Sequence, residues 1–577
     1  MKSERTTTAL AISLGAHDPA VCLARDGDIL AHVEEERVLR EKHADGKFPS
    51  RALREVLDIA RLGMSDIDCI AVNWDLPRFE DGRMAQFYAD ANRGRKVTEA
   101  TLQWQRRNLQ TFTTDALRNR LRLEFERLGF SSVPKIISFP HHDVHAWQAY
   151  TVSGFDQANV LVMGGSGDAE CSSVWTFDGQ TEKQLACQNM PHSLGWFYAA
   201  ITEYLGYAAC DGEHKVMAMA AFGAADPGLE SAIGEVLAVT PQGYQLASRY
   251  IHDGAHSFSG RFTDALVDLL GMAPKRPAQR FEKAHFDLAF VAQRQLEKAA
   301  IAFLRASGAD LALPLCVSGE LALNVTLGSR LQREFPAHPV FANPLGADSG
   351  AQLGAALRAT CAHRPVAYKG SLLLGREYPQ QQIEQLLASR QLEWQPATVE
   401  AILSLLDDGR LMGWFQGRAE VGPRALGARS ILCDPRNETA MAKLTEVMKL
   451  REHWQPYGLS IPASRVHEVI AGPLASENMS IAAPVRPAQI ANGLKAVHID
   501  GSTRPHVVHQ AAQPLLFEVL ERFGEQTGVF ALINTSFNRR GEPIAYAPRD
   551  ALSIYLETEL DALVIGHCLL TKRQADA

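Results

Sequence analysis

Short apolar runs that end on glycine recur along the first two thirds of the chain. Residues 8–16 (TALAISLGA) read as a buried strand running into Gly15. Residues 19–24 and 28–33 alternate around the turn Arg25-Asp26-Gly27, which predicts a hairpin. The spacing predicts a helix over 50–62 and a further helical stretch across 100–128, where Leu102, Leu109, Phe112, Leu117, Leu121 and Phe125 recur with helical period. The run 158–163 (ANVLVM) is a strand ending in Gly164-Gly165-Ser166-Gly167, and LPLCVSG (313–319) and NPLGADSG (343–350) repeat the design. A strand that breaks into a glycine turn exposes backbone N–H groups to which a phosphate can come close. Several such turns in one stretch predict an α/β nucleotide-binding domain. The pattern breaks near 362–370, at Pro365 and Gly370. Past it, helices over 379–389 and 398–408 and strands over 411–415, 529–534 and 562–565 make a second α/β unit. No internal repeat is visible in the sequence.

Composition narrows the class without naming a function. The 577 residues are 46% hydrophobic and 21% charged, which excludes a mainly disordered chain, a collagen and a disulfide miniprotein. The net charge of −8 argues against nucleic acid and anionic membranes as partners. Nine cysteines without a CxxC pair argue against a disulfide framework and fit a reducing cytoplasm. The start, MKSERTTTALAISLGAHD, is too polar for a secretory signal, and no apolar run reaches the roughly 18 residues of a membrane span.

Candidate chemistry sits in six places. In FPHHDVHAWQAY, Pro140 suits a helix start, and His141 and His145 then share one helical face. That spacing suits two ligands of one divalent ion, although a polar helix end would look the same. The Gly164–Asp168 loop is either a phosphate turn or a tight surface turn. Asp348 is either a metal ligand or the cap of the helix that follows. Gly319 and Asn324 flank a corner that either contacts adenosine or simply joins strand to helix. Residues 416–451 hold seven positive side chains against four negative, a local balance of +3. Arg418, Arg424, Arg429 and Arg451, interleaved with Gly422, Pro423 and Gly427, read as a rigid anion site. Asn534, Ser536, Asn538 and Arg540 offer amide, hydroxyl and guanidinium donors for a phosphate or a planar carbamoyl group; a polar turn is the alternative.

The strings PHHDVHA, GEHKVMAMAAFG, GWFQGRAEVGPRALGARSIL, MKLREHWQPYG and NTSFNRRGEPIAYAP together resemble the NodU/CmcH family of carbamoyltransferases, from about residue 8 to about residue 572. The resemblance implies two domains. Residues 1–365 would form an ASKHA-type (actin-like) domain similar to the tRNA threonylcarbamoyltransferase catalytic subunit, and residues 366–577 a YrdC-like α/β domain. In the second domain ATP and carbamoyl phosphate would give carbamoyl-adenylate. In the first the carbamoyl group would pass to a hydroxyl of a small natural product in secondary metabolism, such as an antibiotic, beside a divalent metal, iron(II) or magnesium. By motif match Lys449, Arg504, Asn534 and Ser536 take the carbamoyl-phosphate and adenylate site, with Arg418, Arg424 and Arg429 assisting. His17 would act as base toward the acceptor hydroxyl, and Lys42 and His43 would line the acceptor pocket or form a solvated charge run. His141, His145 and Asp348 match the metal set. The partners implied are carbamoyl phosphate, ATP and a small-molecule acceptor, with a homodimer as the assembly.

Three positions depart from the family pattern. Gly164 stands where the family has a second metal-binding aspartate. That leaves a weaker site completed by water, a site completed by Asp168, or an empty one. Glu320 replaces a glycine and is expected to crowd a nucleotide phosphate. Gln455 replaces an arginine. These changes keep two alternatives open: a diverged enzyme with altered transfer (to an amine, or activation for elimination or cyclisation), and a nucleotide-binding pseudo-enzyme partner.

Overall fold

The structure is a computed structural model that describes residues 6–15, 17–276, 278–337, 339–361, 368, 370–474 and 476–572. The expected boundary at 365/366 lies outside the described residues. The chain divides into two compact units. The first comprises residues 1–30, 46–50 and 61–369. The second comprises 31–45, 51–60 and 370–577. The first of these early segments is tied into the second unit by specific bonds. His32 N donates to Leu374 O, Arg37 to Gly422 O, and Arg40 to Pro543 O and Ile544 O.

The first unit contains two five-stranded sheets. The first holds β1 (Thr8–Ile12), β2 (Ala20–Arg25), β3 (Asp28–Glu34), β4 (Cys69–Val72) and β5 (Lys135–Ser138), in the order β3-β2-β1-β4-β5. The second holds β6 (Ala158–Gly167), β7 (Glu170–Phe177), β8 (Glu182–Asn189), β9 (Leu315–Ser318) and β10 (Val340–Ala342), in the order β8-β7-β6-β9-β10. In each, the first strand pairs antiparallel with the second and parallel with the fourth. The unit is therefore a topological duplication, the actin-like (ASKHA) arrangement. No sequence repeat announces it, because any apolar run of the right length satisfies a strand position.

Two helices carry the site. One, α1, spans His141–Ser153, and the other, α2, spans Asp348–Thr360. All residues 141–151 of α1 are buried, including three histidines, Asp143 and Gln148. Burying so many polar groups is costly unless each finds a partner. His142 Nδ1 meets Ser173 Oγ at 2.8 Å. Asp143 pairs with Arg358 of α2 at 2.8 Å. Gln148 Nε2 donates to Leu345 O and Gly350 O, at 3.0 and 2.6 Å. Gly354 lets the helices touch: a Cβ there would overlap the Val144 carbonyl. The apolar side of α1, with Trp147 and Tyr150, packs on Val160, Val162 and Phe177 of the second sheet.

Four expectations change in detail. The helical stretch 100–128 is two helices, Glu99–Thr111 and Thr114–Leu128, because Thr113 turns extended and its hydroxyl caps the second at Ala116 N. The glycines 164–167 are not a phosphate turn. They continue β6, and Gly167 pairs with Glu170 across a turn at Asp168-Ala169. Gly319 is explained by packing: its φ of +79° and a Cβ that would overlap Met163 O leave room for glycine alone. Asn324 caps the helix Val325–Glu334 through Leu327 N and bonds Gln293, so both ends of its amide are engaged within the unit.

The second unit is built on a nine-stranded mixed sheet. In sequence order its strands are β11 (Gln395–Pro396), β12 (Met412–Phe415), β13 (Arg429–Cys433), β14 (Gly458–Pro462), β15 (Ala483–Pro484), β16 (Ser502–Val508), β17 (Leu532–Ser536), β18 (Ala562–Ile565) and β19 (Cys568–Thr571). Across the sheet they run β11-β19-β18-β12-β13-β17-β14-β16-β15. Trp414, Ile431, Ile533 and Phe537 are fully buried in its core. Among the described residues no helix is long and apolar enough to cross a membrane. Replacing Gly319 by alanine is expected to lower stability by about 2 kcal/mol or more, from the disfavoured φ and the collision with β6. Denaturant unfolding checks it; an unchanged midpoint would show that the close approach relaxes freely.

Candidate functional site

At the N-terminus of α2, Asp348 meets the paired histidines of α1. Its Oδ1 lies 3.3 Å from His141 Nε2 and 3.4 Å from His145 Nε2, and the two nitrogens are 3.1 Å apart. Donors bound about 2.1 Å from a common ion, at angles between right and tetrahedral, lie about 3.0–3.4 Å from one another. The triangle therefore fits one divalent cation held by two imidazoles and a carboxylate. The N-cap of α2 is Ala347, and Asp348 opens the helix one residue later with Oδ1 turned to the two histidines. His141 Nδ1 lies 3.2 Å from the backbone oxygen and 3.3 Å from the side-chain Nδ2 of Asn73, so Asn73 holds the ring with Nε2 toward Asp348.

Further groups surround the triangle. His17 Nε2 lies 3.7 Å from Asp348 Oδ2, its Nδ1 meets Asp18 at 3.0 Å, and its ring stacks on His256 with centroids 3.8 Å apart. Burial alone would lower the His17 pKa, but the bond to Asp18 and the charge of Asp348 raise it to about 9. In that state His17 holds a proton and does not accept one. Burial is likewise overridden by Asp348 at His141, which is raised to about 9. Asp348 stays well below the usual carboxylate range: burial opposes ionisation, and the facing histidines outweigh it. Burial and the adjacent Asp348 charge push Glu320 up to about 8. Asp168 does not complete the site. Its carboxylate accepts from His141 N at 2.8 Å and Asp75 N at 3.0 Å, so it holds the start of α1.

In the second unit the arginines divide into two roles. Arg429 is fully buried and donates to the carbonyls of Gln416, Ala428, Arg376 and Gly417, with its guanidinium 3.6 Å above the Phe415 ring. Arg418 is likewise turned to Gly375 O and Leu374 O. These two build the loop. Glu420, which the sequence did not single out, organises the same loop by accepting from Leu426 N and Arg429 N. Arg424, Arg451 and Arg504 lie near enough for their charges to act on one another. Burial lowers Arg504 well below its ordinary value, and the neighbouring charges of Arg424 and Arg451 lower it further. Arg451 is held by Gln455 O and Pro456 O and stacks on Tyr457 at 3.9 Å, and Arg504 shares Pro456 O.

Lys449 is buried beside them. It donates to Ser536 O at 2.5 Å, Asn538 O at 3.0 Å and Asn538 Oδ1 at 2.7 Å. Burial, then Arg451, bring it down to about 7. Asn534 bonds Ser460 Oγ at 2.9 Å and Ala425 O at 3.2 Å, tying β17 to the arginine loop. Arg540 is exposed and donates to Leu450 O. Gln455 pairs with Glu452.

The chain matches the family profile of the carbamoyltransferase N-terminus over residues 9–357 and that of the carbamoyltransferase C-terminus over residues 403–572. It belongs to the carbamoyltransferase family. The protein sll1178 of Synechocystis sp. is 32% identical over 98% of this chain and 97% of its own length. Nodulation protein NolNO of Sinorhizobium fredii is 32% identical over 97% of this chain and 79% of its own. The 3'-hydroxymethylcephem-O-carbamoyltransferase of Amycolatopsis lactamdurans is 32% identical over 44% of this chain and 48% of its own.

The two clusters differ in kind: arginines beside Lys449 in the second unit, and a histidine–carboxylate group in the first. Some of the residues that position them carry no sequence signal. Asn73 and Gln148 are single polar residues whose partners lie far along the chain, and Glu420 answers backbone N–H groups of its own irregular loop. Asp168 marks its turn in the sequence by following Gly167, but its carboxylate partners, His141 N and Asp75 N, are again distant along the chain. Opposite responses are expected from two arginines. Arg429→Lys cannot reach four carbonyls and should cost about 3 kcal/mol of stability. Arg504→Ala relieves repulsion, so its melting temperature should not fall, while stabilisation by ATP or carbamoyl phosphate should be lost. Thermal shift with and without each ligand reads both; equal behaviour of the two variants would contradict the division.

Proposed function

We propose that this carbamoyltransferase activates carbamoyl phosphate with ATP to carbamoyl-adenylate in its second unit, releasing phosphate from the former and pyrophosphate from the latter. Its first unit then transfers the carbamoyl group to a hydroxyl of a small natural product. The observation that carries the activation step is the clustering of Arg424, Arg451 and Arg504 around one another beside Lys449. Three guanidinium groups repel each other in a largely buried pocket, and a polyanionic ligand reverses that penalty. ATP and carbamoyl phosphate both bring phosphate groups that arginine binds in fork geometry. Ser536 and Asn538, already bonded to Lys449, would set the register of the carbamoyl end.

In the first unit His141, His145 and Asp348 would hold the divalent cation. When bound, the ion supplies positive charge that polarises the carbamoyl carbonyl and stabilises the developing oxyanion. This chain's own groups do the rest. Asn73 orients His141, Gln148 fixes the loop 345–350, and His17 places a proton at Nε2 on the Asp348 side. The O-carbamoyltransferase among the relatives supports a hydroxyl acceptor. The second reading, a diverged enzyme with altered transfer, draws support from Glu320, because a carboxylate at the transfer centre changes the charge a substrate meets there.

Incubation with ATP and carbamoyl phosphate is expected to release pyrophosphate, and Arg504→Ala should lower that rate at least about 100-fold. Absence of pyrophosphate under every metal condition would overturn the activation step. The pH dependence follows from Lys449. Its pKa of about 7 makes it charged below neutrality and neutral above. A bound anion favours the charged form, so binding takes up protons near pH 7, and affinity falls as pH rises through about 7. Calorimetry in buffers of different ionisation enthalpy measures the uptake. Lys449→Arg should flatten the profile, and an unchanged slope in that variant would assign it to another group.

A further inference from the structure

We propose that Ser460 and His506 are positioning residues: they hold the Asn534 amide so that its oxygen receives the amino group of carbamoyl phosphate, and the site thereby rejects acyl phosphates that lack that group. The proposal rests on reading the second unit as the place where carbamoyl phosphate binds.

The three residues lie on one face of the nine-stranded sheet. Gly458 of β14 pairs with Asn534 of β17 on one side and with Arg504 of β16 on the other. Ser460, two residues on, pairs with His506. Paired residues, and residues two apart on a strand, present their side chains to the same face. Asn534, Arg504, Ser460 and His506 therefore share a face, and so does Ser536, two residues past Asn534. Lys449 donates to Ser536 O, and Asn534 Nδ2 donates to Ala425 O, next to Arg424. Asn534 thus stands beside the cationic groups.

The orientation of its amide is set by a one-way chain of bonds. Ser460 is 0%, Asn534 1% and His506 4% exposed. Burial, then His509, bring the His506 pKa down to about 3, so the ring is neutral. Asn534 Nδ2 lies 2.9 Å from Ser460 Oγ, 3.2 Å from Ala425 O and 3.3 Å from His506 Nδ1. Ser460 Oγ lies 2.9 Å from His506 Nδ1. An amide nitrogen only donates, so His506 Nδ1 is the acceptor here and the ring carries its proton on Nε2. The Ser460 hydroxyl then accepts from Asn534 and donates to His506. Turning the amide over would set its oxygen against the Ala425 carbonyl and the His506 lone pair. Asn534 Oδ1 is therefore held on the other side, and among the described residues it has no hydrogen-bond partner. A buried acceptor of this kind is costly unless a ligand donates to it.

Carbamoyl phosphate carries that donor. The arginines suit its phosphate, and its NH2 group suits Asn534 Oδ1. Acetyl phosphate has the same shape and charge, with a methyl in place of the NH2. Binding it would leave Oδ1 buried and unanswered. A site built to hydrogen-bond one substrate group discriminates strongly against the analogue without it.

The test is calorimetric titration of the full-length protein with freshly dissolved carbamoyl phosphate and, separately, with acetyl phosphate, each with and without a non-hydrolysable ATP analogue. Wild type should bind carbamoyl phosphate at least about tenfold more tightly than acetyl phosphate. His506→Leu removes the acceptor at the end of the chain. It should weaken carbamoyl phosphate and leave acetyl phosphate unchanged, so that the two differ by less than about threefold. His506→Gln offers a carbonyl oxygen to the same hydroxyl and should restore the preference. Circular dichroism and melting confirm that each variant is folded; should His506→Leu misfold, Ser460→Ala serves in its place, with the same loss of preference expected. A folded variant that keeps the wild-type ratio overturns the proposal, as does one that weakens both phosphates by the same factor. Wild type binding both phosphates equally also overturns it, while the activation reading stands on pyrophosphate release. Wild type binding neither overturns both.

Discussion

The close contact between α1 and α2 is the constraint on which the first unit depends. A helix whose every early side chain is buried carries His141 and His145, and such a helix survives only if its polar groups are met from outside. The second helix does this. Arg358 answers Asp143, the carbonyls of Leu345 and Gly350 answer Gln148, and Asp348 answers the two histidines. Gly354 makes the approach close enough, since any side chain there would strike the Val144 carbonyl. The same contacts that satisfy the helix also bring three potential ligands to the spacing of one ion. Stability and chemistry share one set of bonds, so the site is rigid by construction.

The second unit handles charge differently. Arg418 and Arg429 spend their donors on backbone carbonyls and shape the loop that Glu420 anchors. That rigid loop then supports Arg424 near Arg451 and Arg504, where like charges stand together. Such a cluster of like charges costs stability. An arginine-rich string is therefore two kinds of residue interleaved. Only the direction of each guanidinium separates them.

Much of the fold was legible. Strands over 158–163, 313–319 and 562–565 and the helices after 379 and 398 appear close to their expected places, because apolar period and glycine breaks are local signals. The paired histidines were legible for the same reason: four residues on a helix is a fixed geometry. The break at Thr113 was hidden because both flanking helices keep the same apolar period. The duplicated sheet order was hidden because strand order is a matter of long-range pairing, to which residue identity contributes little.

By itself the sequence determined the two α/β units, the HxxxH pair, the basic loop and the family, since each rests on residues near one another in the chain or on strings specific to it. Only the tertiary structure decided what the exceptions mean. Gly319 serves backbone packing, Asn324 caps a helix, Asp168 holds the start of α1, and Arg429 braces a loop. Gly164 and Glu320 look in sequence like two separate losses, 156 positions apart. In space they are neighbours, because β6 and β9 pair in parallel and a Cβ at position 164 would overlap Glu320 Oε2. The sequence lists side chains in chain order. Chemistry at a site depends on which atoms share a few cubic ångströms, and sheet pairing and helix packing set that.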